Sequence, residues 1–422
     1  MIAVDRLDRL FAERADPDRV RTDGINKVRK GHDMSRTVAA IDYGTSKIAC
    51  VIARVQRSGA YDVLGFGNVP YAGYADGKWN EADKLADVTK SVLHEAGIVA
   101  GKKIRKIHIA VPGDYTMVAN YRVGLDVTAA DRRVTQEDIR RLLEKAPAPE
   151  KNSRYALLHR CPVYYLLDSQ ERVDDPVGER TSMLSATVST VLGDKRFLSQ
   201  TANLMDYLGV EVQGYVSAVI GQAAFMIPRQ EKQIGCVLID SGFATTTIAI
   251  LQGEGILFQK TIPFGAKQII TDMMKGLNIS YSEADALKRR YVFGLDNDSG
   301  QMQLMQIMDR TDKARKYETA LVSEVIEARM RDTLERIAAV IEESGFRLAN
   351  RSAAYLTGGG FSMMHGIRQF SSAILERNVQ VLTPQSPRIN SAVYAGVLVA
   401  VDYICMQNVS MKKSRGLFGR KK

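Results

Sequence analysis

Two aspartates stand at matching places in the chain. Asp42 ends the apolar run "VAAI" and opens the turn "YGTSK", and Asp240 ends "CVLI" and opens "SGFATTT". Two carboxylates at strand ends suit a magnesium ion, which keeps much of its water and is gripped by few protein oxygens. The turns that follow carry the partners of an anion. Gly44 and Gly242 leave backbone N–H groups open, and the hydroxyls of Thr45, Ser46 and Thr245 are of the right kind to hold phosphate oxygens. Lys47 adds a cation. A third signal, "YLTGGGF", puts Gly358, Gly359 and Gly360 between a short apolar strand and an expected helix, where backbone amides approach an anion closely. Either hairpin alone reads as an ordinary buried turn. Both together, with the triple glycine, read as a nucleotide cleft.

Each turn sits in the same local frame. A strand over Val38–Ile41, a second over Ile48–Val55 and a third over Tyr61–Val69 form one meander, with "QRSGA" as the second turn. The later copy runs to Asp240, returns to Leu251, turns on "QGEG" and continues over Ile256–Ile262. A unit of this size, repeated far downstream, predicts a duplicated α/β domain and not a short-period solenoid. At 422 residues the chain is long enough for two or more cores.

Composition narrows the class. With 45% hydrophobic and 25% charged residues, the chain reads as an ordinary soluble globular protein. Its four cysteines are scattered, without a CxxC or a nearby histidine cluster, so neither a zinc site nor a disulfide framework is expected. No secretory signal is visible, and the longest apolar stretch, "AVYAGVLVAV", is far short of the ~20 residues of a spanning helix. A cytoplasmic setting is expected. The net charge of +10 is spread along the chain except in "MKKSRGLFGRKK", where a single aromatic, Phe418, does not make the repeated aromatic and basic interleaving of a nucleic-acid arm, so no nucleic-acid partner is expected. "GYADGKW" is too short for a phosphate-binding Walker loop, and "GEGILF" lacks the last glycine of a dinucleotide fingerprint.

These motifs, in this order, resemble the actin, Hsp70 and sugar-kinase superfamily. "IDYGTSK" resembles its first phosphate motif, "LIDSGFATT" its second and "LTGGG" its adenosine motif. "YSEADALKRRY" resembles the helix that places an acid and a lysine at the ribose and adenine, here Asp285 and Lys288. Within that superfamily, the stretch holding "VTQEDIRRLLEKA" and "DDPVGERTSMLSATVSTVLG" resembles the inserted subdomain, called 1C, of the FtsA cell-division family. The resemblance covers Arg36 to about Tyr403. It implies two RNase H-like, actin-fold domains flanking a nucleotide cleft, with ATP and Mg²⁺ bound between them. Its expected layout is an N-terminal extension at 1–36, expected flexible, and subdomain 1A at 37–118, completed by about 214–233 and 384–405. Subdomain 1C then takes 119–213, subdomain 2A takes 234–262 and 341–383, subdomain 2B takes 263–340, and a basic tail takes 406–422.

Two departures temper the implied activity. The second phosphate turn has Gly242-Phe243-Ala244 where the family pattern has three glycines, so side chains are expected to crowd the phosphate. Ser217 stands where hydrolysing relatives place a Glu or Gln, leaving Gln222 as the weaker catalytic candidate. ATP binding with slow or absent hydrolysis is the expectation, because positioning the attacking water is a large part of phosphoryl-transfer catalysis.

The resemblance also implies partners. The C-terminal tail of the tubulin-like FtsZ would dock on 2B, with Arg329 as the candidate contact for its acidic groups. Head-to-tail self-association and docking of later division proteins on 1C are implied as well. The tail residues Lys412, Lys413, Arg415, Leu417, Phe418 and Arg420 would touch anionic lipids of the inner membrane at the division septum. Each apolar side chain contributes at most about 3 kcal/mol and each basic one about 1 kcal/mol, so several tails on one polymer would be needed for firm binding. The alternatives are a pilus-assembly ATPase with the same insert, and a small-molecule kinase of the same fold.

Overall fold

The computed structural model describes residues 36–418 apart from short stretches at 57–59, 72, 76–77, 80–81, 169, 295–302, 310–312, 350, 385 and 387–388. Of the extension expected at 1–36, residues 1–35 lie outside the described residues, as does Arg420, while Arg36 opens the first strand.

Near-continuous apolar strands are buried on both faces, and alternation divides their side chains between two cores. Along Arg36–Tyr43 and Lys47–Val55, residues Ala39, Ile41, Ile48, Cys50 and Ile52 face one core, and Val38, Ala40, Ala49, Val51 and Ala53 face the other. The first core is covered by the helices Ala82–Ala100 and Lys195–Tyr207, the second by the terminal helix Ala395–Phe418. The five-stranded sheet runs Glu211–Ser217, Lys106–Val111, Arg36–Tyr43, Lys47–Val55, Tyr61–Pro70 from edge to edge. Its meander is antiparallel, and the two strands on the other side of Arg36–Tyr43 are parallel to it.

The second domain repeats the plan. Its sheet runs Gly255–Ile262, Thr246–Gln252, Cys236–Ser241, Ala354–Thr357, Val379–Val381, again an antiparallel meander followed by parallel strands. One face carries Val237, Ile239 and Ile248 against the helices Ala266–Gly276, Thr319–Glu343 and Ile367–Leu375. The other carries Leu238, Ala249 and Leu251 against the helix Ala218–Met226. The duplication read from the two aspartates is therefore a duplication of whole sheets.

Between Lys106–Val111 and Glu211–Ser217 the chain builds a separate four-stranded sheet from Thr116–Asp126, Tyr155–Leu166, Arg172–Val173 and Met183–Asp194. The helix Gln136–Glu144, started by a Thr135–Asp138 capping box, closes its core over Leu142, Leu184, Ala186 and Val188. This corrects the expected insert at 119–213. The inserted sheet ends at Asp194, the helix Lys195–Tyr207 packs on the first domain through Phe197, Leu198 and Met205, and Glu211–Ser217 is an edge strand of the first sheet. The insert also docks on the second domain's hairpin: Asn120 Nδ2 donates to Leu257 O (2.8 Å) and Ser189 Oγ to Ile256 O (2.8 Å).

No helix among the described residues is long and apolar enough to cross a membrane. The terminal helix runs as one element from Ala395 to Phe418, so Lys412, Lys413, Arg415, Leu417 and Phe418 fall on its last turns.

Candidate functional site

The two meander turns meet across the gap between the domains. Thr45 Oγ1 accepts the backbone N–H of Ala244 at 3.0 Å, a contact spanning 199 positions of sequence. Within the second turn, Gly242 N donates to Thr245 O (2.8 Å), closing the hairpin, so the N–H expected to stay open to an anion there is instead spent within the turn. Only the first of its three threonines faces the cleft. Thr246 Oγ1 donates to Phe264 O (2.7 Å) and Thr247 shares a hydrogen bond with Thr261 (2.8 Å), so both hydroxyls are spent on neighbouring segments of their own domain. Phe243 packs on the second domain's core, so the bulk expected to crowd the phosphate is turned away.

Asp42 and Asp240 occupy equivalent strand ends, paired with Ala49 and Thr247. Burial, then the neighbouring Asp240, pushes the Asp42 carboxyl up to about 6. Burial also raises Asp240; the amide of Gln222 opposes that rise and the charge of Asp114 adds to it. Lys47 is pushed down to about 8 by burial, with Asp42 and Asp240 pulling the other way. Its Nζ donates to Val393 O (2.9 Å) and lies 4.6 Å from the centre of the Tyr394 ring.

Gln222 does reach the site. Its Nε2 donates to Asp240 Oδ2 at 2.7 Å, while its Oε1 is buried without a protein partner. Ser217 instead starts that helix, its Oγ accepting from Ile220 N (3.4 Å).

The triple glycine lies directly on the second turn. Gly360 N donates to Ser241 O (2.7 Å), and a Cβ at Gly358 would fall 2.4 Å from Asp240 Oδ1. The expected helix begins only at Ile367, so the glycines form a backbone platform and not a helix N-terminus. Lys288 is brought to the same place: its Nζ donates to Gly360 O (2.6 Å), and burial, opposed by Asp285, pushes it down to about 8. Asp285 pairs with Arg289 at 2.7 Å on the exposed side of the helix Tyr281–Arg290, which also carries Lys288. Arg329 lies elsewhere, bonded to Asp272 and, at 2.8 Å, to Asp332.

Two participants escaped sequence reading. Asp114, in the turn Gly113–Tyr115, accepts the Thr245 hydroxyl on both oxygens (3.0 and 3.1 Å). The signal was available, since "KIHIAVPGD" is again an apolar strand followed by an acid at its end. The start of the terminal helix is the other: a Cβ at Gly396 would lie 2.6 Å from Asp42 Oδ2.

The donor set fits a phosphate chain with a hard cation. Asp42 and Asp240 are held above the usual carboxylate range, a condition a divalent ion relieves. The buried Ser241 Oγ and Gln222 Oε1 have no protein partner, and the platform at Gly358 and Gly360 has no room for side chains. Among the described residues no group of three or more His, Cys, Asp or Glu encloses a metal.

Comparison with known proteins agrees with this layout. Residues 237–398 match the family model described as cell division protein FtsA, and residues 113–192 match the SHS2 domain inserted in that protein. The cell division protein FtsA of Bacillus subtilis is 21% identical over 367 residues, 87% of this chain and 83% of its own length. That of Pseudomonas aeruginosa is 26% identical over 352 residues, 83% of this chain and 84% of its own. Among solved structures, the chain superposes on the PilM–PilN type IV pilus biogenesis complex (TM-score 0.59, 14% identity, 89% of this chain and 99% of that one). It also superposes on MreB5 of Spiroplasma citri bound to AMPPNP (TM-score 0.52, 13% identity, 91% and 100%). These two likenesses speak to the fold alone. With both family models falling on the segments that build the second domain and the insert, and relatives matched along most of their length, the chain belongs to the FtsA family of actin-fold cell-division proteins.

Proposed function

We propose that this protein binds ATP with Mg²⁺ between its two domains, polymerises, and tethers FtsZ to the cytoplasmic face of the membrane at the division septum. The observation that carries the reading is the bond from Ala244 N to Thr45 Oγ1, which sets the two phosphate turns face to face. Bound nucleotide would bridge these turns and hold the domains closed, biasing the chain toward its polymer. Asp42 and Asp240 would hold the cation through water, Lys47 and the amides of the first turn would neutralise the phosphates, and Lys288 with Gly358–Gly360 would support the nucleoside. Mg²⁺ supplies charge neutralisation to the phosphate chain when bound. Gln222, tethered to Asp240 with one acceptor atom left over, would orient water only loosely, which supports slow turnover.

The terminal helix starts against Asp42 and ends at Phe418, so the tail proposed to touch lipid belongs to an element that begins in the cleft. FtsZ and later division proteins are assigned to the second domain's helical lobe and to the insert on family grounds. The test is calorimetric ATP titration of the full chain and of Asp240→Ala, followed by co-sedimentation of both, and of a chain lacking 411–422, with anionic vesicles. Binding lost in Asp240→Ala and vesicle release on tail deletion are the expected results. A correctly folded wild type that ignores adenine nucleotides would overturn the reading.

A further inference from the structure

The two threonines that line the cleft use their hydroxyls in opposite ways. A hydroxyl has one proton and two lone pairs. Thr45 Oγ1 accepts Ala244 N–H at 3.0 Å, so its proton remains available to an acceptor in the cleft. Thr245 Oγ1 lies 3.0 and 3.1 Å from the two oxygens of Asp114. An ionised carboxylate only accepts, so the Thr245 proton is committed to Asp114 and its lone pairs face outward. A phosphate oxygen is itself an acceptor and gains nothing from them. A cation, or a water in its shell, does.

The turn that carries Asp114 is fixed to the second domain. Gln259 Nε2 donates to Gly113 O (3.1 Å) and Thr116 Oγ1 (2.7 Å). A Cβ at Gly113 would fall 2.2 Å from Thr247 Oγ1, so this turn and the Thr245 hairpin are in direct contact and move together.

We propose that Asp114 is a positioning residue that makes Thr245 an acceptor for the hydrated divalent cation, leaving phosphate contact in the turns to Thr45 and the backbone amides of its own turn. This rests on the nucleotide reading above. It also revises the grouping of Thr45 and Thr245 as equivalent phosphate ligands: one serves the anion, the other the cation.

The test is ATP titration of the full chain by calorimetry, with excess Mg²⁺ and with EDTA. The quantity read is the ratio of the two affinities, with circular dichroism as the check on folding. Wild type is expected to bind more tightly with Mg²⁺. Thr245→Val and Asp114→Ala should each shrink the ratio about tenfold, the size expected for losing a hydrogen bond made to a charged group. Asp114→Ala should bind no more weakly than wild type in EDTA, since it frees a proton donor and removes a negative charge. Thr45→Val should weaken binding in both media and keep the ratio, and Thr245→Ser, which retains the hydroxyl, should keep it too. Should Asp114→Ala fail to fold, the Thr245→Val and Thr245→Ser pair still decides. Equal losses for Thr245→Val in Mg²⁺ and EDTA, or an unchanged ratio in folded Asp114→Ala, would refute the role. Wild type that binds no ATP in either medium would instead remove the nucleotide reading, and this assignment with it.

Discussion

Alanine at Gly358 imposes two costs that a second glycine can separate. Gly358 has φ +88°, where an L side chain costs roughly 1–2 kcal/mol. Its Cβ would also sit 2.3 Å from Ser241 O and 2.4 Å from Asp240 Oδ1, so those atoms must retreat by roughly 1 Å to reach ordinary contact. Neither can retreat alone. Ser241 O accepts Gly360 N–H at 2.7 Å, and the other oxygen of Asp240 accepts Gln222 Nε2 at 2.7 Å. Displacement of this size in a positioned site costs about a hundredfold in function. Gly101 supplies the control, with φ +62° and nothing within 4 Å of an added Cβ. Gly101→Ala should therefore lose only the conformational ~1–2 kcal/mol and bind ATP as wild type does. Gly358→Ala should lose a further ~1–3 kcal/mol through overpacking and bind ATP about a hundredfold more weakly. Urea denaturation and ATP calorimetry on the same preparations read both terms. The reasoning fails if Gly358→Ala binds ATP within roughly a factor of three of wild type, or if the two variants are equally destabilised.

Two further substitutions probe buried titratable groups. His159 Nε2 accepts Ser217 N–H at 2.9 Å and its Nδ1 lies 3.0 Å from Tyr403 Oη, while burial pushes the imidazole down to about 4 from 6.5. Between those values the unfolded chain holds a proton that the folded one does not, so this group removes about 2 kcal/mol of stability as pH falls from 7.5 to 5. Asp42 and Asp402, both raised to about 6 by burial, slope the opposite way, so the comparison is wild type minus His159→Gln at each pH; a difference that stays flat over this range contradicts the assignment. Lys288→Met removes a buried ammonium from Gly360 O and should leave the nucleotide-free chain at least as stable near pH 7, yet weaken ATP binding about tenfold. Large destabilisation with unaltered affinity would make Lys288 a structural strut instead.

Much of the site was legible because its grammar is local. An apolar strand, an acid at its end and a glycine turn recur at Asp42 and Asp240, and a strand precedes Gly358–Gly360. Local grammar misled where the same α/β rhythm runs through a boundary. Nothing between Asp194 and Glu211 marks the return from insert to first domain, because a helix followed by a strand suits either. The family position of Ser217 left Gln222 in doubt, whereas Ser217 is a helix cap and the Gln222 amide spans the gap to Asp240. For Arg329 the sequence left a partner contact and an intramolecular bridge equally open; in the fold its guanidinium is shared by Asp272 on a packed helix and Asp332 one turn along its own.

By itself the sequence determined the two sheets and the carboxylates at their edges, since alternation along a strand sets which side chains are buried and a turn stops the strand beside its last residue. Only the tertiary structure decided which hydroxyl gives its proton and which offers its lone pairs. Thr45 meets Ala244 from the other domain, and Thr245 meets Asp114 from the base of the insert. The direction of a hydrogen bond depends on the partner. Partners brought together by folding over such separations leave no periodic trace along the chain.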